Sequence, residues 1–435
     1  MARLLAGVSK GVISPRVGAK LIGYFDRHEG SIGIHDDLNA RALVLNDGTT
    51  TIALCSVEML WLWSNIVSAI RQSVAARCAI KPENVLIFCT HTHAGPAPHV
   101  TADWDRPLVD LIADIIVAAF HAQQPARLGF GFGQLIGYNI NRRWLNRPAD
   151  PSVAVMRVDT ADGKPLAVLG NYACHAVVMG YDNNYISGDW PGYASRMLEE
   201  ELAARGGERC VALFSQGGAG DVNPLTETVR QRLAAGHPVG TIGSLTSFYG
   251  RFDVGLTDSW NIEDRAGGTF FEAETIGRAY AAEVLRVWRS VNASADVPLW
   301  TEQIVVNGAV GPDEPPGEGL PPEYKAIVPE IQSGNVPLEI MVIGIDNAVL
   351  VSQPGEVFSE TAVELRKAGQ QMGYAFPVLV SYANGSYAYL PPANAFSEGG
   401  YEVQWARKYG LSRHLQNRIA EAILPILQRH ITTQQ

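Results

Sequence analysis

Charge is scarce in this chain, and so are cysteines and long apolar runs. Charged residues make up 18% of its 435 residues, and the formal net charge is -10 with histidine neutral. Nucleic-acid binders ordinarily carry a basic stripe, so this balance argues against that class. The five cysteines (Cys55, Cys78, Cys89, Cys174, Cys210) are an odd number without a CxxC pair. That excludes a paired-cysteine zinc module, and thiols in apolar strand-like runs read as buried and reduced. No stretch approaches ~18 uninterrupted apolar residues, so no membrane span is expected. The apolar run in MARLLAGVSKGVISP is too short for a signal-peptide core. These features lead to the expectation of a cytoplasmic protein. HExxH is absent, and neither a thermolysin-like nor a serine-hydrolase reading finds support.

What is present is a core-forming composition, 47% hydrophobic. ARALVL and TIALCSV flank Asn46-Asp47-Gly48 and predict a hairpin. Ile66, Ile70 and Val74 share a helical face within 63–79. VLIFCT (85–90) predicts a buried strand, and 105–123 a second helix. RLGFGFG, SVAVMRV and PLAVLGNYA follow as strands, 190–205 as a helix and 210–216 as a strand. Residues 227–270 show no clear period and read as a long surface excursion, a candidate lid. Residues 271–290 return to helical spacing, and 308–337 form a Pro/Gly-rich loop. Further strands, a helix from about Glu356 and a terminal helix at 411–431 complete the pattern. The expectation is a single domain, residues 1–435, of mixed sheets covered by helices.

Several segments can do chemistry. In CTHTHAGPAPH (89–99) a hydrophobic strand ends and histidines emerge. In extended backbone residues i and i+2 share a face, so His91 and His93 can look into one site. Imidazole is a common zinc ligand. In GNYACHAVVMG, His175 follows another strand end; alone, such a histidine is more often a hydrogen-bonded core residue. Asp189 lies at or near a helix N-cap. SQGGAGDVNP is a glycine-rich turn after a strand. Gln216, Gly217 and Gly218 could there hold an oxyanion, or form only a tight structural turn. Pro-Gly precedes Glu356, a carboxylate suited to a metal or to a helix N-terminus. Tyr387 and Tyr389 share a face if extended, as a ligand, a proton donor or packed aromatics.

Taken in order, AGVSKGVISP, GIHDDLNARAL, CTHTHAGP, NINRRW, HAVVMGYDNNYISGDWPGYA, SQGGAGDVNP, PGEVF and ANGSYAYLP with GGYE resemble the neutral ceramidase family. These are zinc-dependent amidases that split N-acylsphingosines. The resemblance runs collinearly from about residue 5 to residue 405. It implies a four-layer α/β/β/α sandwich, two mixed β-sheets flanked by helices. It implies a Zn²⁺ held by His91, His175, Glu356 and Tyr389, with Tyr387 the competing tyrosine. It places His93 and Arg142 near the scissile amide, with Tyr401 further along the same segment. Asp36-Asp37 departs from the family, which usually has a neutral or basic residue there.

The implied reaction is attack of a metal-activated water on an amide carbonyl, with His93 or Tyr401 stabilising the oxyanion and Arg142 orienting the substrate. The substrate is a lipid amide or, in the alternative reading, a small polar amide or lactone on the same metal. A non-catalytic protein with a structural metal is a third reading. Structural zinc sites are usually closed by four Cys or His ligands, unlike this set with Glu and Tyr. No nucleic-acid partner is expected, and oligomeric state is not legible.

Overall fold

The computed structural model describes residues 4–24, 27–144, 147–234, 268–320, 331 and 335–432. Most of the expected excursion (235–267) and part of the proline-rich loop (321–330, 332–334) lie outside the described residues.

In chain order the strands are β1 (Leu5–Val12), β2 (Gly33–Ile34), β3 (Asn39–Asn46), β4 (Thr51–Val57), β5 (Val85–Cys89), β6 (Gln124–Gln134), β7 (Asn139–Asn141), β8 (Ser152–Thr160), β9 (Pro165–Tyr172), β10 (Tyr185–Ile186), β11 (Val211–Gln216), β12 (Val222–Pro224), β13 (Leu299–Asn307), β14 (Pro337–Ile345), β15 (Ala348–Ser352), β16 (Glu356–Val357), β17 (Phe376–Val380) and β18 (Tyr389–Leu390). The helices are α1 (Ser64–Ala75), α2 (Leu108–His121), α3 (Asp189–Ala203), α4 (Glu227–Ala234), α5 (Phe270–Ser290), α6 (Ser359–Met372), α7 (Ala393–Glu398), α8 (Tyr401–Lys408) and α9 (Leu415–Thr432).

An eight-stranded mixed sheet runs β11-β9-β8-β6-β1-β3-β4-β5, and a four-stranded one runs β13-β14-β15-β17. The β3–β4 hairpin forms as expected. Asp47 Oδ1 accepts the N–H groups of Thr49 and Thr50, and Gly48 takes φ 89°. The two sheets face each other across an apolar layer in which Leu43, Leu54, Leu86 and Met156 meet Met341, Ile343, Leu350 and Val378. Each such side chain contributes roughly 1.5–3 kcal/mol by leaving water. Outside the large sheet, α1 and α2 cover one half and α3 and α5 the other. Helices α6, α8 and α9 cover the small sheet. The result is the four-layer α/β/β/α arrangement that the resemblance implied.

Some local expectations fail. Glu356 opens no helix: it sits in β16, a two-residue ribbon paired in parallel with β18, and the helix starts at Ser359. Helix α4 lies inside the segment read as irregular. Gly7-Val8-Ser9-Lys10-Gly11 fits the letters GxSxG, but Ser9 pairs with Ala42 in mid-strand. A nucleophile elbow needs a sharp strand-to-helix turn, so the serine-hydrolase reading stays unsupported. Among the described residues, no helix is long and apolar enough to cross a membrane.

The topology also locates the site. The pairs β4/β5, β9/β11 and β15/β17 are parallel. Crevices beyond the carboxyl ends of parallel strands are where open sheets place their ligands. His91 follows the end of β5, His175 that of β9, Glu356 that of β15 and Tyr382 that of β17. Hydrogen bonds from Cys89 N to Tyr382 O and from Ser381 N to Gln216 O join these ends across the two sheets.

Candidate metal centre and active site

His91 does not continue the strand. Its φ is 65°, in the left-handed region, and its N–H donates to Met59 O. The histidines therefore share a site because the chain turns between them, not because it is extended. All three imidazoles are held alike. Nδ1 of His91 donates to Leu60 O (2.9 Å), that of His93 to Gly23 O (3.1 Å) and that of His175 to Ala219 O (2.6 Å). A carbonyl only accepts, so each Nδ1 carries the proton and each Nε2 presents a lone pair.

Those lone pairs converge. The ligand nitrogens of His91, His93 and His175 lie within 4.8 Å of one another, all buried. Nε2 of His91 is 3.2 Å from Nε2 of His93. Glu356 Oε2 stands 3.0 Å from His175 Nε2 and 3.4 Å from His91 Nε2. Acceptors facing acceptors in a dry pocket repel unless a cation sits at their focus. Two ligand atoms on tetrahedral zinc, each about 2.0–2.1 Å from it, stand about 3.3–3.5 Å apart. The observed separations of 3.0, 3.2 and 3.4 Å lie close to that edge length, so these residues fit a metal ion.

The electrostatics agree. Burial, with Arg142 nearby, brings His175 down to about 4. Burial and the neighbouring imidazoles of His91 and His175 hold His93 well below its usual value. Both are neutral near pH 7, the state that either a metal ligand or a proton acceptor requires. Burial alone would raise Glu356; positive charge on the imidazoles of His91 and His175, or a cation in its place, holds the carboxylate well below its ordinary range.

The remaining expected residues surround this group. The β16–β18 ribbon pairs Glu356 directly with Tyr389. The Arg142 guanidinium lies over the Tyr389 ring at 5.3 Å, and the Tyr401 ring stands edge-on to it at 5.5 Å. Arg142 Nη1 is 3.5 Å from His175 Nε2 and 3.3 Å from Asn223 Oδ1. Tyr387 instead lines a separate cleft with Ser64, Arg71 and Glu339. Ala388 between the tyrosines has φ 55°, which breaks the alternation that would have put both on one face.

Gln216 and Gly217 use polar groups inside the fold, and Gly218 packs against backbone. The Gln216 amide donates to Thr90 O and Cys174 O and accepts from Cys174 N. The Gly217 N–H donates to Tyr172 O. A Cβ on Gly218 would meet Phe358 O at 2.5 Å. This turn joins the two sheets through Ser381, which donates to the carbonyls of Gln216 and Gly217. Asp189 is the first residue of α3, not its cap. Its carboxylate accepts the N–H groups of Met179 and Trp190, fixing the chain beyond His175. Asp36 accepts from Ser187 Oγ, Gly188 N and Arg196.

Sequence reasoning missed three residues. The Tyr382 ring stacks on His91 at 3.9 Å, with its hydroxyl 3.4 Å from Glu356 Oε2. Its position two residues past a strand end, like that of His91, was an available signal. Buried Arg27 donates to the carbonyls of His93 (2.7 Å) and Gly180 (2.9 Å), tying His93 to the loop after His175. Glu402, beside Tyr401, receives Arg142 and Arg143. Nothing local in the sequence marks Arg27, and Glu402 lay in the quoted GGYE segment without being given a role.

Comparison with known proteins points to one family. Residues 5–233, just over half of the chain, match the family described as "Neutral/alkaline non-lysosomal ceramidase, N-terminal". The chain is 30% identical over 239 residues to neutral ceramidase B of Dictyostelium discoideum, covering 47% of this chain and 33% of that protein. It is 28% identical over 233 residues to neutral ceramidase of Pseudomonas aeruginosa, covering 47% of this chain and 34% of that protein. These alignments thus span about a third of the length of the curated relatives. The solved structure of the Pseudomonas aeruginosa protein superposes with a TM-score of 0.73 over 98% of this chain and 74% of that one, at 19% identity. A structure described as "Ceramidase complexed with C2" gives 0.72 over 100% of this chain and 76% of that one, at 17% identity. At such identity the superpositions speak for the fold alone.

Proposed function

The chain belongs to the neutral/alkaline non-lysosomal ceramidase family, and on that premise we propose that it is a zinc-dependent hydrolase of the amide bond in N-acylsphingosine-type lipids. The observation that carries the reading is the convergence of three imidazole lone pairs and one carboxylate oxygen on a single buried point. His91, His175 and Glu356 would hold the ion, with Tyr389 as the fourth ligand. Tyr389 is preferred over Tyr387 because it is paired with Glu356 across the ribbon. Zinc, when bound, polarises a carbonyl and lowers the pKa of water from ~15.7 toward ~7.

The chain's own groups supply the rest. His93 presents Nε2 as a proton acceptor, because the Gly23 carbonyl holds the proton on Nδ1. It can donate toward a carbonyl oxygen only after it has taken a proton. That revises the expectation of a standing oxyanion donor. Arg142 brings fixed positive charge beside His175 and orients polar groups of the substrate. Tyr401, on the neighbouring helix, brings a hydroxyl-bearing ring edge-on to Tyr389.

The test is hydrolysis by the zinc-loaded protein of short- and long-chain N-acylsphingosines, beside small N-acyl amides and lactones. Release of sphingosine supports the reading. Turnover of the small compounds alone would replace the lipid by the alternative substrate class. Turnover of none would leave the site without its proposed chemistry.

A further inference from the structure

Glu402 is a buried carboxylate held between two buried guanidinium groups. Its Oε1 accepts from Arg142 Nε at 2.8 Å and its Oε2 from Arg143 Nη1 at 2.6 Å. All three residues are at most 7% exposed. Because Nε of Arg142 is engaged by Glu402, the rest of its planar guanidinium is aimed the other way. There Nη1 reaches within 3.5 Å of His175 Nε2 and 3.3 Å of Asn223 Oδ1. The chain is shaped for this contact. Gly399 and Gly400 take φ 70° and 90° just before α8, turning Tyr401 and Glu402 inward together. A Cβ on Gly400 would come within 3.0 Å of Arg143 Nη1. Charge-assisted pairs of this planar kind fix direction as well as energy.

We propose that Glu402 is a positioning residue that aims Arg142 at the reacting amide, acting through the guanidinium and touching neither substrate nor metal. The proposal rests on the reading of Arg142 given above. Glutamine at 402 could accept from one arginine only and would turn an N–H₂ toward the other. Aspartate would keep the charge but withdraw it by one methylene.

The test is a double-variant cycle on the zinc-loaded protein, with thermal melts confirming that each variant folds. Glu402→Gln and Glu402→Asp should each lose about 10–100-fold in kcat/KM on an N-acylsphingosine while keeping wild-type zinc content. Added to Arg142→Ala, either change should cost no more than a further twofold, since its effect runs through the missing side chain. Additive losses, or wild-type kcat/KM in both single variants, would overturn the proposal. A second readout needs no turnover. The Arg142 Nε–H resonance, assigned by its loss in Arg142→Ala, should exchange with water at least tenfold faster in both Glu402 variants. Unchanged exchange would also overturn it. A wild-type protein without amidase activity would refute the functional reading while this second readout still decides the position of Arg142.

Discussion

Replacing Gly220 by alanine should disable the metal centre without touching a ligand side chain. Gly220 packs on the backbone of Glu356–Val357, and its N–H donates to Val357 O at 2.8 Å. A Cβ there would collide with Glu356 O and lie 2.8 Å from Glu356 C and 3.1 Å from Val357 O. Carbon–oxygen contacts are comfortable at about 3.3–3.6 Å, so the Glu356 backbone must retreat by about 1 Å. Metal sites tolerate ligand displacements of only about 0.2 Å. Oε2, now 3.0 and 3.4 Å from the two imidazoles, would then leave the coordination shell. The overpacking itself should cost about 1–3 kcal/mol of stability. Zinc affinity, measured by competition with a chromophoric chelator, should fall by at least about 10–100-fold, the scale set even by outer-shell changes. Gly217→Ala is the control, since its tightest contact would be the Asn171 side-chain Oδ1 at 3.1 Å, with backbone atoms of Ala173 and Tyr172 no nearer than 3.4 Å. A Gly220→Ala protein with wild-type zinc affinity would refute the argument that this glycine exists to let Glu356 close on the metal.

Other consequences can be checked separately. His93→Ala should keep its zinc by elemental analysis and lose about 100–1000-fold in kcat, the scale of one catalytic hydrogen-bonding group; loss of zinc instead would make His93 a ligand in place of His91. Tyr389→Phe should weaken zinc binding while Tyr382→Phe leaves it within about threefold, and the reverse order would assign the fourth position to Tyr382. Burial pushes Asp221 up to about 6. A raised carboxylate contributes stability below its unfolded pKa of about 4 and loses it as pH rises through 6. Asp221→Asn should therefore gain on the wild type between pH 4 and pH 7, by at most about 3 kcal/mol for a two-unit shift. Denaturation curves whose difference is flat over that range would contradict the sign.

How much of this was legible depended on whether the signal was local. The strands ending before His91 and His175 are runs of buried residues, and the histidines that follow them were readable as a site. The layered fold was implied by the resemblance and consistent with the alternation of elements. Glu356 was found as a ligand candidate but given the wrong element. A two-residue ribbon is defined by a partner 33 positions later, which no window along the chain contains. The extended reading of His91-Thr92-His93 and of Tyr387–Tyr389 failed for one shared reason. His91 and Ala388 adopt positive φ, uncommon for residues with a side chain and imposed by tertiary contacts. The glycine turn after β11 looked like an anion cradle because bare backbone also suits close packing, and only the neighbours distinguish the two.

The central claim is that a metal held by His91, His175 and Glu356 hydrolyses an amide. It is tested most directly by stripping the protein of metal and titrating zinc back while following sphingosine release from a short-chain N-acylsphingosine. The stripped protein should be inactive, activity should rise linearly and saturate at about one equivalent of zinc, and His175→Ala should show no recovery. Full activity in the stripped protein, or recovery in His175→Ala equal to wild type, would contradict it.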